Sequence, residues 1–196
     1  MSGENLTRET IVPFLASIFR RRGAEEYLGE PVTIAEHMLQ GAALAESEGA
    51  SDELVAAALL HDIGHFTSEF GTYTPDDVED KHHDDAGAEV LAPFFPPLVT
   101  ECVRLHVAAK RFLCATDRTY FAKLSSASVH TLSLQGGPMS SGEVEAFRRN
   151  PFHAEAVRVR IWDEGGKVRG MRTKPFRDYE PLLQRVVDGH LERDEG

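Results

Sequence analysis

The chain has 196 residues, 41% apolar and 27% charged, with 21 Lys plus Arg against 32 Asp plus Glu and a net charge of −11. That length suits one compact domain, residues 1–196, with a core of its own, and the composition excludes fibrous and wholly disordered chains. An acidic chain without a long basic stretch is not a nucleic-acid or anionic-membrane binder, and no apolar run approaches the roughly 20 residues of a membrane span.

Helical periodicity dominates the chain. Ile11, Phe14, Leu15, Ile18 and Phe19 recur at three- and four-residue steps up to Gly23. A second helix is predicted from Thr33 to Glu48, with Gly49 after its end, and a third from Ser51 or Asp52, either of which can cap the apolar run Leu54 to Leu60. Residues 66 to 82 lack periodicity and form a long loop rich in acids, the kind of loop that is more often functional than idle. Further helices are expected at His83–Leu91, Pro97–Leu113, Arg118–Leu132, Gly142–Arg148, His153–Trp162 and Asp178–Arg193, with loops at Gly136-Gly137-Pro138 and from Gly165 to Pro175. No repeat and no set of alternating strands occurs, so the fold class is all-α. Cys102 and Cys114 are too few for a disulfide framework, and Met1 to Arg8 does not resemble a secretory signal, so a cytoplasmic location is expected.

The sharpest local signal is Leu59-Leu60-His61-Asp62-Ile63-Gly64-His65. On a helix His61 and His65 share a face, with Asp62 about 100° round from His61. Strongly hydrated groups directly after an apolar run are costly to bury unless paired or metal-bound. Adjacent imidazole and carboxylate donors suit iron, manganese or zinc. One His-Asp dipeptide alone fits a solvated helix end equally well. Here His37, His83, His106 and Asp163 stand on other predicted helices, and helical bundles assemble metal centres from such inward-facing donors.

His37, His61-Asp62 and Asp163, in that order, resemble the H…HD…D pattern of the HD-domain superfamily, whose members are helical and often metal-dependent phosphohydrolases. Tyr27-Leu28-Gly29-Glu30, His83, His106 through Lys110-Arg111, Leu124-Ser125-Ser126-Ala127-Ser128, Thr131-Leu132, Gln135-Gly136-Gly137 and Trp162-Asp163-Glu164 are similar to one branch of it. That branch is the inositol-oxygenase-like, mixed-valent diiron oxygenases that cleave the C–P bond of 1-hydroxy-2-aminoethylphosphonates, and the likeness runs from residue 27 to 167. It implies a single HD-domain helical bundle holding two iron ions, Fe(II) and Fe(III). His37, His61, Asp62 and Asp163 would bind one, and Asp62 would bridge to a second on His83 and His106. His82 is an alternative to His83, which the register of the following Asp84-Asp85-Ala86-Gly87-Ala88 favours.

The resemblance also gives Tyr27 and Glu30 roles at the reacting centre: Tyr27 covers an iron until substrate arrives, and Glu30 helps to recognise substrate. Taken singly, Tyr27 is a packing residue and Glu30 a surface acid before Pro31. His65, Lys110, Ser128 and Thr131 would bind the phosphonate, Lys110 four residues after His106 and so on the same helical face. The implied partners are a small aminophosphonate and O2, with no nucleic acid and no membrane, and the reaction leaves a carboxylate and phosphate. For the amine end, Glu69, Phe70, Tyr73, Asp76, Asp77, Glu79 and Asp80 in the long loop offer aromatic and acidic groups that suit a quaternary ammonium. The lean is therefore to 1-hydroxy-2-(trimethylammonio)ethylphosphonate, yielding glycine betaine, over the primary amine, yielding glycine. The rivals are an HD-type phosphohydrolase and a metal-bound sensor of a small anion.

Overall fold

Short polar residues set where the helices begin. The computed structural model describes residues 6–27, 29–67, 73–74 and 76–194. After Ile11–Arg22 (α1), Thr33 and Glu36 form a reciprocal capping box at the start of Ile34–Ser47 (α2). The Ser51 hydroxyl accepts from the Leu54 amide and opens Asp52–Leu60 (α3). Between them Gly49 takes a left-handed φ of 67°, which lets α2 stop without a Cβ clash.

The chain continues through a single turn at Gly64–Thr67 (α4), then His83–Leu91 (α5), Pro97–Thr116 (α6), Arg118–Phe121 (α7), Ser126–Leu134 (α8), Ser141–Arg148 (α9) and His153–Gly165 (α10). A 3-10 turn at Phe176–Asp178 leads into Glu180–Asp194 (α11). Among the described residues no strand occurs, only an isolated bridge between Glu26 and Thr33, so the all-α expectation holds. The helix predicted over Arg118–Leu132 is instead two, α7 and α8. The Asp117 carboxylate accepts from the amides of Thr119 and Tyr120, and the Ser125 hydroxyl accepts from that of Ser128. Each side chain starts a helix of its own, because local side-chain bonds to amides compete with a continuous helical ladder.

The placement of α3 decides where the site lies. Leu54 to Leu60 are all buried, as befits a helix that is apolar all round, and α2, α6, α10 and α11 pack against it. Trp162 on α10, Leu183 and Val187 on α11, and Ile11 and Leu15 on α1 belong to the same core. Every Leu buried there contributes about 1.5–3 kcal/mol relative to exposure. The C-terminal end of α3 therefore delivers His61 and Asp62 into the middle of the bundle. Among the described residues no helix is long and apolar enough to cross a membrane.

One contact fixes how α5 sits against that end. A Cβ built on Gly64 would lie 1.7 Å from the carbonyl oxygen of His83, so the two backbones approach closely enough to admit only a hydrogen. Gly64→Ala is expected to cost about 1–3 kcal/mol through overpacking, read as a lower midpoint of denaturant unfolding.

Candidate metal centre

Six side chains converge from separate elements: His37 from α2, His61 and Asp62 from the turn after α3, His83 from the start of α5, His106 from α6 and Asp163 from α10. None is more than 4% exposed. The structure thus brings all six expected donors together. His82, by contrast, is exposed and takes a left-handed φ of 48° at the entry to α5, which turns His83 rather than His82 inward.

Backbone carbonyls set the imidazole tautomers. Nδ1 of His37 lies 2.9 Å from the Gly166 carbonyl, Nδ1 of His61 2.8 Å from that of Ala58, and Nδ1 of His106 2.7 Å from that of Val103. A carbonyl only accepts, so each Nδ1 carries the proton and each Nε2 presents a lone pair inward. Yet Nε2 of His37 and Nε2 of His61 are 3.0 Å apart, and so are those of His83 and His106. In the His37–His61 pair both tautomers are set by carbonyls, so two lone pairs face each other and call for a cation between or beside them; in the second pair a carbonyl sets only the tautomer of His106.

Asp62 stands between the two pairs. Its Oδ2 lies 3.5 Å from Nε2 of His37 and 3.5 Å from that of His61, while its Oδ1 lies 3.3 Å from Nε2 of His83 and 3.4 Å from that of His106. Asp163 Oδ1 sits 3.3 Å from His37 Nε2. Asp62 Oδ2 and Asp163 Oδ1 are buried without a hydrogen-bond partner, an arrangement that is costly unless something positive occupies the space they face. Burial opposes ionisation of Asp62, but His61 and His65 beside it hold its carboxyl well below the usual range. Burial likewise opposes ionisation of Asp163, which the Arg160 guanidinium and His61 keep ionised. Against burial, Asp62 and Asp163 raise His61 to about 9, so the cluster attracts positive charge even when the only cation on offer is a proton.

The donors fit a dinuclear metal centre. Two nitrogens that share one ion through bonds of roughly 2.1 Å would stand about 3–3.4 Å apart, close to the 3.0 Å seen in both pairs. With one oxygen toward each pair, Asp62 would be placed to serve a metal ion at either position. His65 is close too, its Nε2 3.8 Å from Asp62 Oδ1 and its ring stacked on His83 at 4.1 Å and 7°. His106 approaches that oxygen more nearly, which favours it as the donor.

A pocket opens beside the cluster, lined in part by Tyr27, Glu30, His65, Lys110, Ser128 and Thr131, so every expected substrate residue reaches it. Tyr27 stacks on His37 at 4.4 Å and 18°. Burial and the carboxylates of Asp62 and Asp163 keep its hydroxyl protonated, well above the ordinary tyrosine range. Lys110 donates to the Thr131 hydroxyl at 3.0 Å, and burial, with Arg160 nearby, pushes it down to about 7.

The loop before α5 behaves differently from expectation. Glu69 and Phe70 lie outside the described residues. Asp76 and Glu79 are exposed, Asp77 pairs with Lys81 at 2.8 Å, and Asp80 accepts from the Tyr73 hydroxyl. Only Tyr73 among the described loop candidates lines the pocket, and the acids there are Asp62 of the cluster together with Glu26 and Glu30.

Sequence reasoning missed three further side chains. Arg160, buried, bonds Asp163, Glu164 and Tyr120; its signal is the three-residue step to Asp163, which puts both on one face of α10. Lys167 bonds Ser128 and Glu164, with only its place four residues after Asp163 to mark it. Gln135, just before the Gly136-Gly137 turn, lines the pocket with its side chain and donates to the Tyr73 hydroxyl at 3.3 Å.

Comparison with known proteins gives three likenesses and one profile. The HD-domain profile matches residues 34–164. The chain is 57% identical over 186 residues to the 1-hydroxy-2-(trimethylamino)ethylphosphonate dioxygenase (glycine-betaine-forming) of Leisingera caerulea, covering 95% of each chain. It is 46% identical over 165 residues to the hydroxymethylphosphonate dioxygenase of Gimesia maris, covering 84% of this chain and 82% of that one. An uncharacterized protein of Acanthamoeba polyphaga mimivirus is 30% identical over 171 residues, covering 86% and 78%.

A divalent transition metal is expected to raise the midpoint of thermal unfolding, since it binds the folded state alone. Asp62→Ala should abolish that rise, whereas His106→Ala should keep part of it, because the donors around His37 remain intact; metal content per chain checks both.

Proposed function

The chain belongs to the HD-domain family, and from that premise we propose that it is a dioxygenase converting 1-hydroxy-2-(trimethylammonio)ethylphosphonate and O2 to glycine betaine and phosphate. The observation that carries this reading is Asp62, with one oxygen toward each pair of histidine nitrogens. A hydrolytic centre needs a Lewis acid and an activated water; oxidation of a carbon by dioxygen also needs a redox-active metal. Two bound irons, Fe(II) and Fe(III), supply that chemistry. His37, His61, Asp62 and Asp163 would hold one, and Asp62, His83 and His106 the other.

The chain's own side chains do the rest. Lys110 faces the phosphonate, and a dianion there restores the ammonium charge that burial suppresses in the free protein. His65, Ser128 and Thr131 supply further hydrogen-bond donors to the phosphonate oxygens. Tyr27, stacked on His37, covers the centre while the pocket is empty and yields to substrate. Glu30 meets the cationic end. The overall reaction balances: both oxygen atoms of O2 end in products, one C–P bond breaks, and C1 becomes a carboxylate.

A second reading takes hydroxymethylphosphonate as substrate, supported by the relative from Gimesia maris. The buried Glu30 in the pocket wall favours the amine-bearing compound, because a carboxylate facing a ligand without a cation gains nothing from it.

Iron loaded under anaerobic conditions, followed by hydroxyphosphonate and oxygen, is expected to give one phosphate per O2 consumed. Phosphate released as fast under argon would overturn the oxygenase in favour of a hydrolase. Lys110→Met removes a charged hydrogen bond of about 1.5–3 kcal/mol and so raises KM roughly 10- to 100-fold. In the unmodified protein substrate binding should take up a proton above pH 7, since the lysine is largely neutral there without ligand and charged with it; KM therefore rises with pH through that range.

A further inference from the structure

Lys167 lies just beyond α10, its side chain 10% exposed. Its ammonium donates to the Ser128 hydroxyl at 2.7 Å and to the Glu164 carboxylate at 3.1 Å, and lies 3.4 Å from the Glu30 carboxylate. One cation thus touches three elements: the turn after α1, the first part of α8 and the end of α10. Lys167 stands behind the pocket wall that Glu30 and Ser128 form.

We infer that Lys167 is a positioning residue that sets substrate choice, holding Glu30 for a quaternary ammonium and Ser128 for a phosphonate. This rests on the phosphonate reading above and specifies how both ends of that substrate are recognised.

At the phosphonate end one proton decides. An ammonium only donates, so Ser128 Oγ must accept from Lys167 and turn its own O–H elsewhere. Ser128 lines the pocket, and a phosphonate oxygen is the acceptor that proton meets. At the amine end the carboxylate lone pairs decide. The Glu30 side chain is 7% exposed, and a carboxylate so enclosed needs donors for its oxygens. A trimethylammonium has no N–H and cannot provide them. The Ser125 hydroxyl donates to Glu30 Oε1 and the Lys167 ammonium pairs with that same oxygen, so Glu30 is oriented while the substrate cation adds attraction without displacing a hydrogen bond. A primary ammonium would compete with Lys167 for the same oxygens.

The test uses the iron-loaded protein, comparing the trimethylammonio substrate with hydroxymethylphosphonate, which lacks the cation. Lys167→Met is expected to raise KM for the former roughly 10-fold or more and for the latter about 3-fold, with kcat within about 3-fold and metal content unchanged, as lost charge-assisted bonds at one or both ends require. Lys167→Arg should retain most of the selectivity. In a Glu30→Gln background the excess effect of Lys167→Met on the cationic substrate should disappear. Equal KM changes for both phosphonates, an unchanged KM, or loss of metal on substitution would overturn the proposal. If Lys167→Met does not fold, Lys167→Gln, still able to donate to Ser128, should spare hydroxymethylphosphonate and impair the cationic substrate; equal impairment overturns it. Failure of the unmodified protein to turn over either phosphonate would instead refute the functional reading.

Discussion

Two pairs of imidazole nitrogens are each held 3.0 Å apart with a carboxylate between the pairs, and in the His37–His61 pair the lone pairs face each other, an arrangement that a neutral interior does not sustain. The carbonyls of Gly166, Ala58 and Val103 fix the tautomers of His37, His61 and His106, three of the four imidazoles. Positive charge must enter, and the six donors are buried where water cannot bring it cheaply. The surrounding helices can be understood as the means of enforcing that demand. An apolar α3 ends at the centre of the bundle, α2, α6 and α10 pack on it, and each supplies one or two of the donors.

The same logic explains the neighbouring charges. Arg160 and Lys167 add cations outside the donor set, Arg160 on Asp163 and Lys167 toward Glu30. The centre itself keeps its oxygens Asp62 Oδ2 and Asp163 Oδ1 without hydrogen bonds. Electrostatic balance is therefore layered: ligands face inward, and their remaining lone pairs and the pocket carboxylate are neutralised from behind.

Much of this was legible in the residues. Helix starts at Thr33 and Ser51 follow from capping chemistry, and the convergence of His37, His61, His83, His106 and Asp163 follows from donors recurring on separate apolar helices. The break between α7 and α8 was not, because Asp117 and Ser125 must be seen bonding amides before they outweigh a plausible periodicity. The acidic loop misled for a related reason. Composition gives charge but not partner, and Asp77 and Asp80 are engaged by Lys81 and Tyr73 rather than by the pocket. Arg160 and Lys167 were hidden because a cation on an amphipathic helix looks solvated until the tertiary fold encloses it.

The hydrogen bond from His37 to Gly166 joins positions 129 residues apart in the chain. Closing so long a loop is entropically expensive, and local helix formation does nothing toward it. A polypeptide still emerging from the ribosome, with α10 not yet made, has neither the carbonyl that orients the first histidine nor the last carboxylate. The coordinating cluster is therefore complete only once α10 is in place.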